Sequence, residues 1–148
     1  MQFSIIIPTF ENHKYLKTSI NSIKKNSKFN HEIIVHINGE DKETENFLIN
    51  SNIKCTKTKT NIGLCSGVNI AASKSKYDLI VYAHDDMYFC PNWDTEFKKE
   101  LDKINHEKFF LSGTMVQYFN GLINLDCGQN PENFNERKLL SELPAIEF

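Results

Sequence analysis

Arginine is almost missing from this chain: Arg137 is the only one among 17 basic residues, and the lysines that make up the rest are scattered over helix and loop segments. Phosphate-rich polymers are gripped by arginine forks, so this scarcity argues against nucleic acid as a partner. A net charge of −2 adds no global attraction to nucleic acid or to an anionic membrane surface. Closely spaced cysteines are missing as well. Cys55, Cys65, Cys90 and Cys127 lie too far apart for a zinc knuckle, and isolated thiols fit a reducing compartment better than a disulfide framework. No apolar run approaches the ~18 residues of a membrane span. Residues 2–7 are apolar but too short for a secretory signal core, and no basic segment precedes them. A soluble, cytoplasmic chain is the expectation. Glycine-rich phosphate loops of the G-x-G-x-x-G or G-K-[ST] kind are also lacking, so a phosphorylated ligand would need another source of positive charge.

What is present is an alternating pattern. The 148 residues, 40% hydrophobic and 24% charged, suit one domain with a sizeable core. Phe3 to Ile7 (FSIII) is a β-rich run stopped by Pro8. Leu16, Ile20 and Ile23 recur at helical spacing, with Asn12 placed to cap the helix. His31 to Ile37 (HEIIVHI) is a second strand, closed by the turn pair Asn38-Gly39. A helix over Asp41–Asn50 and a polar strand over Asn52–Lys57 follow. Leu64, Val68, Ala71 and Ala72 mark a third helix, and Asp78–Ala83 a buried strand. Pro91 sits where a first-turn proline belongs, ahead of a helix carrying Trp93, Phe97, Leu101 and Ile104. Lys108–Gln117 (KFFLSGTMVQ) is a fifth strand candidate, Leu122–Leu125 a short strand, and Phe134–Leu143 a last helix. Strands apolar on both faces and alternating with helices predict a three-layer α/β/α sandwich around a mostly parallel sheet. The core is expected over about residues 1–118, with 119–148 a connecting tail of the same domain.

In open parallel sheets, ligands bind beyond the carboxyl ends of the strands. The pattern puts Pro8, Thr9, Phe10 and Glu11 there, with Asn38 to Asp41, Asn61 to Gly67, and His84, Asp85 and Asp86. The adjacent carboxylates of Asp85 and Asp86 repel one another unless a cation sits beside them. Few hard oxygen ligands suit Mg²⁺ or Mn²⁺, which would supply the missing counter-charge for a diphosphate. A solvated turn near a helix N-terminus is the alternative for the same pair. Other residues read as packing. His36 reads as a core or sheet histidine, and Trp93, Phe97, Phe109 and Phe110 as core. Tyr88 or Phe89 is open to lining the pocket. Ser66 has no histidine at a predictable distance, and Cys65 lacks a basic neighbour.

Taken together, three segments resemble the nucleotide-sugar-binding half of a family 2 glycosyltransferase with the GT-A, Rossmann-like fold. They are SIIIPTFENHKYLKTSINSI, HEIIVHINGEDKET and TNIGLCSGVNIAASKSKYDLIVYAHDDM, and the likeness covers roughly residues 3–98. The resemblance implies that Pro8, Thr9, Phe10 and Glu11 cradle the base and ribose of a nucleoside diphosphate sugar. Asn38 would lie in the turn that reads the base edge, and Gly63 and Asn69 would flank the nucleotide. His84-Asp85-Asp86 takes the place of the D-x-D motif. Asp86 is then the metal ligand, and Asp85 bonds the ribose or assists the Mn²⁺ or Mg²⁺. His84 departs from the motif and either ligates the ion or packs beside it. The implied activity is metal-dependent transfer of the sugar, with inversion, to a hydroxyl of a carbohydrate or glycoconjugate acceptor.

The resemblance puts the catalytic base well downstream of the metal motif, whereas only 62 residues follow Asp86. Asp126 and Glu132 read as surface acids, so no base is assigned. A fragment of a longer enzyme, or a shortened member, is therefore expected. A module that holds the nucleotide sugar without transferring it stays open as the alternative. A nucleotidyltransferase is disfavoured, because PTFEN is neither glycine-rich nor basic.

Overall fold

The computed structural model describes residues 1–145. The chain divides into two compact units, Met1–Asp94 and the segment from Thr95 onward. The first unit holds β1 (Ser4–Thr9), α1 (His13–Asn26), β2 (Glu32–Asn38), α2 (Lys42–Asn50), β3 (Lys54–Thr58), α3 (Leu64–Ala72) and β4 (Ile80–Tyr82). Its four strands pair in the order β3-β2-β1-β4, all parallel.

β1 is an inner strand because its side chains can be buried on both faces: all six of its residues are buried. On one face Ile6 pairs with Ile34, and both pack against Ala71, Val68 and Ala72 of α3. Residues of opposite parity, Ile5, Ile7, Val35 and Ile37, are buried on the other face, and α1 contributes the buried stripe Leu16, Ile20 and Ile23. Each such side chain, fully withdrawn from water, contributes about 1.5–3 kcal/mol. The sheet is therefore the middle layer of an α/β/α sandwich.

Local chemistry sets the helix starts. Asp41 caps α2, its carboxylate accepting from the Thr44 amide at 3.0 Å and the Thr44 hydroxyl at 2.6 Å. Such a cap stabilises by about 1 kcal/mol. Gly63 precedes α3 at φ +84°, a conformation open to glycine and strained for other residues. α3 lies so close to β2 that a Cβ on Gly67 would meet His36 Cδ2 at 2.6 Å. His36 is fully buried, with Nδ1 2.8 Å from Thr56 Oγ1, the packed sheet histidine that its alternation predicts.

Three expectations within the first unit need correction. Asn12 stands at the α1 cap position but makes no side-chain cap bond, because its amide is used elsewhere. The strand expected over Asp78–Ala83 as a buried core element is only Ile80–Tyr82. It lies at the edge of the four-stranded sheet, and Ile80 and Tyr82 are 50% and 42% exposed. Pro91 is not in the first turn of the next helix. It leads a turn in which Asn92 has φ +65° and the Trp93 amide donates to the Cys90 carbonyl.

α4 (Trp93–Leu101) begins at the end of the first unit, where Trp93 is buried and stacks on Phe3 at 5.8 Å. The second unit carries β5 (Val116–Gln117) and β6 (Ile123–Asn124), a two-residue parallel pair, then α5 (Glu136–Glu142) and a 3₁₀ turn over Leu143–Ala145. Of the strand expected over Lys108–Gln117, only its last two residues pair. Phe109 and Phe110 are accordingly exposed rather than core, Phe110 at 93%. A strand pattern buries side chains only where a neighbouring strand and a covering layer exist. Among the described residues no helix is long and apolar enough to cross a membrane.

Candidate nucleotide-sugar site

The carboxyl ends of β1, β2 and β4 and the β3–α3 loop collect the polar residues of the first unit. β1 ends in Thr9, which is 3% exposed, and the chain then turns sharply: Glu11, exposed, has φ +52°. A left-handed glutamate costs about 1–2 kcal/mol. The turn brings Asn12 back toward the sheet. There the acidic turn after β4 meets it. Asn12 Nδ2 donates to Asp85 Oδ1 at 2.9 Å, and Thr9 Oγ1 donates to Asp85 Oδ2 at 2.6 Å.

Both oxygens of Asp85 are thus engaged by the first turn of the chain. The residue is half-buried, and burial pushes its carboxyl above the ordinary range. The Thr9 and Asn12 donors pull it down and the Asp86 charge pushes it up; the balance is upward. Asp86, one residue on, is exposed.

His84, just before the acidic pair, is bonded sideways. Its Nε2 lies 2.9 Å from the Tyr82 hydroxyl, and the two rings are 5.0 Å apart. Burial, then the neighbouring Cys65, Asp85 and Asp86, push the Tyr82 phenol upward.

The second turn is organised around Asn38, 5% exposed. Its Nδ2 donates to the Gly63 carbonyl at 3.2 Å, and its Oδ1 accepts from the Ile62 amide at 2.8 Å. Gly63 N in turn donates to Asn61 Oδ1 at 2.9 Å. Asn38 therefore orders the loop before α3 with both ends of its amide. Phe10, half-exposed, lies against Gly39: a Cβ there would stand 3.4 Å from Phe10 Cε2. Pro8 is buried in β1, opposite His36 in the register, and Asn69 is exposed on α3.

The structure thus joins Thr9 to Asp85, Phe10 to Gly39 and Asn38 to Gly63. Tyr88 and Phe89 point elsewhere: the Tyr88 hydroxyl accepts from Asn26, and Phe89 packs edge-on against Trp93 at 4.8 Å. In the second unit, Asp126 Oδ1 accepts from the Gly128 amide at 3.0 Å, as a loop acid does.

Asn12 is the residue that sequence reasoning missed. Its signal was its place in the same short turn as Pro8 and Thr9, but an asparagine before a helix reads first as a cap. As for a divalent ion, Asp86 offers an exposed, hard carboxylate oxygen of the kind that Mg²⁺ or Mn²⁺ prefers. Among the described residues no group of three or more His, Cys, Asp and Glu side chains is gathered to hold a metal. Mg²⁺ in particular is commonly held by one or two carboxylates with water and substrate phosphates, so the residues fit an ion shared with a diphosphate.

The family model of Glycosyl transferase family 2 matches residues 4–142. No curated protein matches the chain in sequence. Among solved structures, S. aureus TarS 1–349 is similar at a TM-score of 0.62 and 20% identity, over 76% of this chain and 39% of that one. The same protein in complex with UDP-GlcNAc gives a TM-score of 0.62 at 20% identity, over 76% of this chain and 38% of that one. A further S. aureus TarS structure gives a TM-score of 0.61 at 22% identity, over 70% of this chain and 20% of that one. The chain therefore spans well under half the length of these relatives, and the likeness establishes their fold.

Proposed function

The chain belongs to glycosyl transferase family 2, and on that premise we propose that Met1–Asp94 is the donor-binding unit of a transferase acting on a nucleoside diphosphate sugar. One observation carries the reading: the Thr9–Asn12 turn and the Asp85–Asp86 turn are tied together at the carboxyl edge of the sheet. A nucleotide sugar needs a base-and-ribose cradle beside an acidic, metal-capable step, and this tie sets the two side by side. The TarS structures with UDP and UDP-GlcNAc support a uridine nucleotide as the donor class.

Each residue has a part in this reading. The half-exposed ring of Phe10, backed by Gly39, offers a wall for the base. Pro8, Thr9 and Glu11 shape the turn that receives the ribose. Asn38 fixes the Asn61–Gly63 loop, so that Gly63 can pass close to the nucleotide without a side chain in the way, and Asn69 lines the approach along α3. Asp85 meets the ribose side, and Asp86 holds the cation, Mn²⁺ or Mg²⁺. When bound, the cation supplies charge stabilisation for the departing diphosphate. His84, bonded to Tyr82, packs beside the acidic pair. The acceptor is a carbohydrate or glycoconjugate hydroxyl that attacks the anomeric carbon in a single inverting displacement, its proton going to a base. No residue of this chain is assigned as that base. The four cysteines, widely spaced in the sequence, fit a cytoplasmic setting for the site.

Calorimetric titration of UDP, GDP and UDP-GlcNAc, with and without Mn²⁺, tests the reading on wild type and Asp86→Ala. Metal-enhanced binding lost in the variant is the expected result. Turnover in the same samples identifies the transferase, whereas binding without turnover identifies a donor-holding module. No binding of any of the three by the folded protein with Mn²⁺ present would remove the reading.

A further inference from the structure

We propose that Asn12 is a positioning residue: together with Thr9 it holds the Asp85 carboxylate back from the divalent cation, leaving Asp86 as the one member of the acidic pair that faces it. The inference rests on the donor-site reading above, which already gives the cation to Asp86, and adds to it the two side chains that hold Asp85 to its separate part.

The geometry is specific. Asp85 Oδ1 accepts from Asn12 Nδ2 at 2.9 Å and Oδ2 from Thr9 Oγ1 at 2.6 Å, one donor to each oxygen. Bonds to an ionised acceptor are stronger than neutral ones, so the two donors fix the orientation of the carboxylate, and turning an oxygen toward a cation would break one of them. Asp85 is half-buried and Asp86 exposed, so access favours Asp86 as well.

Asn12 is available for this work because its side chain makes no cap bond at the start of α1. A residue at that position that served only the helix would direct its oxygen to an amide two or three residues on. Here the amide nitrogen points across the sheet edge instead. His84 Nε2 is joined to the Tyr82 hydroxyl at 2.9 Å, so that nitrogen is not offered to the ion. The protein therefore presents one strong oxygen ligand, and such an ion is completed by substrate phosphates and water.

The restraint predicts a gain rather than a loss on mutation. Removing a donor frees an Asp85 oxygen beside Asp86, and two carboxylates hold a hard cation better than one. The 148-residue chain is titrated with Mn²⁺ alone, and free Mn²⁺ is read from its electron paramagnetic resonance signal. Asn12→Ala is expected to bind Mn²⁺ at least threefold more tightly than wild type in the absence of nucleotide. Thr9→Val should do the same, whereas Thr9→Ser, which keeps the hydroxyl, should match wild type. Circular dichroism establishes that each variant is folded, and Thr9→Val carries the test should Asn12→Ala not fold. Unchanged or weaker Mn²⁺ binding in the folded variants would overturn the proposal. A parallel titration with UDP and GDP reads the donor site separately: failure of both to bind wild type overturns that reading, while the Mn²⁺ titration still decides the restraint on Asp85.

Discussion

Thr9 Oγ1 and Asp85 Oδ2 stand 2.6 Å apart although the two residues are 76 positions apart in the chain. The bond closes the carboxyl edge of the sheet by joining the end of inner strand β1 to the turn after edge strand β4. β4 pairs over only three residues, so this tie and the Ala83 amide bond to the Ile6 carbonyl do much to hold the acidic turn in register. An acidic turn anchored at one aspartate leaves the other free, and the predictions follow from that asymmetry.

Asp86→Asn should abolish the Mn²⁺ enhancement of nucleoside diphosphate binding, a loss of at least tenfold, because the ion loses its exposed carboxylate. Stability should stay within about 0.5 kcal/mol, as for other surface substitutions. Calorimetry with and without Mn²⁺ and urea unfolding check the two halves separately.

Asp85→Asn should raise stability at neutral pH while weakening nucleotide binding. Burial holds the Asp85 carboxyl above its ordinary range in the folded state. Folding therefore disfavours ionisation, and stability falls as pH rises through the folded value. The variant removes this penalty. Its advantage should be full above that value and vanish below the ordinary carboxylate range, as read by urea midpoints across the acid limb. An advantage that persists in strong acid would refute the assignment.

The buried histidines predict the opposite slope. His31 Nδ1 accepts from the Phe3 amide at 3.2 Å, so its proton sits on Nε2, which donates to Asp94 at 3.0 Å. Burial lowers His31 from its ordinary 6.5 against the opposing pull of Asp94, and burial lowers His36 from the same value. Neutral imidazole is thus favoured by folding. The stability it contributes is complete above 6.5 and is lost as pH falls through the folded values. Unfolding below 6.5 should take up protons, and His31→Gln should flatten that part of the stability curve.

Gly67→Ala should destabilise by about 1–3 kcal/mol, the usual cost of overpacking. Helix propensity favours alanine by about 1 kcal/mol. The added Cβ, however, would stand 2.6 Å from His36 Cδ2, and His36 is pinned by Thr56. Packing outweighs propensity here, and thermal unfolding gives the sign.

The sequence by itself determined the order of strands and helices from Phe3 to Ala72, and with it the parallel sheet. Ile5, Ile6, Ile7, Ile34 and Val35 need cover on both faces, and helical connections are what supply it. The same pattern put Thr9, Asn38 and Asp85 at one edge, because residues that end parallel strands end together. Only the tertiary structure decided what those residues do there. Nothing local distinguishes Asn12 as a cap from Asn12 as a donor to Asp85, or Asn38 facing a ligand from Asn38 tying down Gly63. Hydrogen-bond partners distant in the chain are chosen by where the backbone brings them. The strand expected over Lys108–Gln117 failed for the same reason: alternation states which side chains ask for burial, and only packed neighbours can grant it.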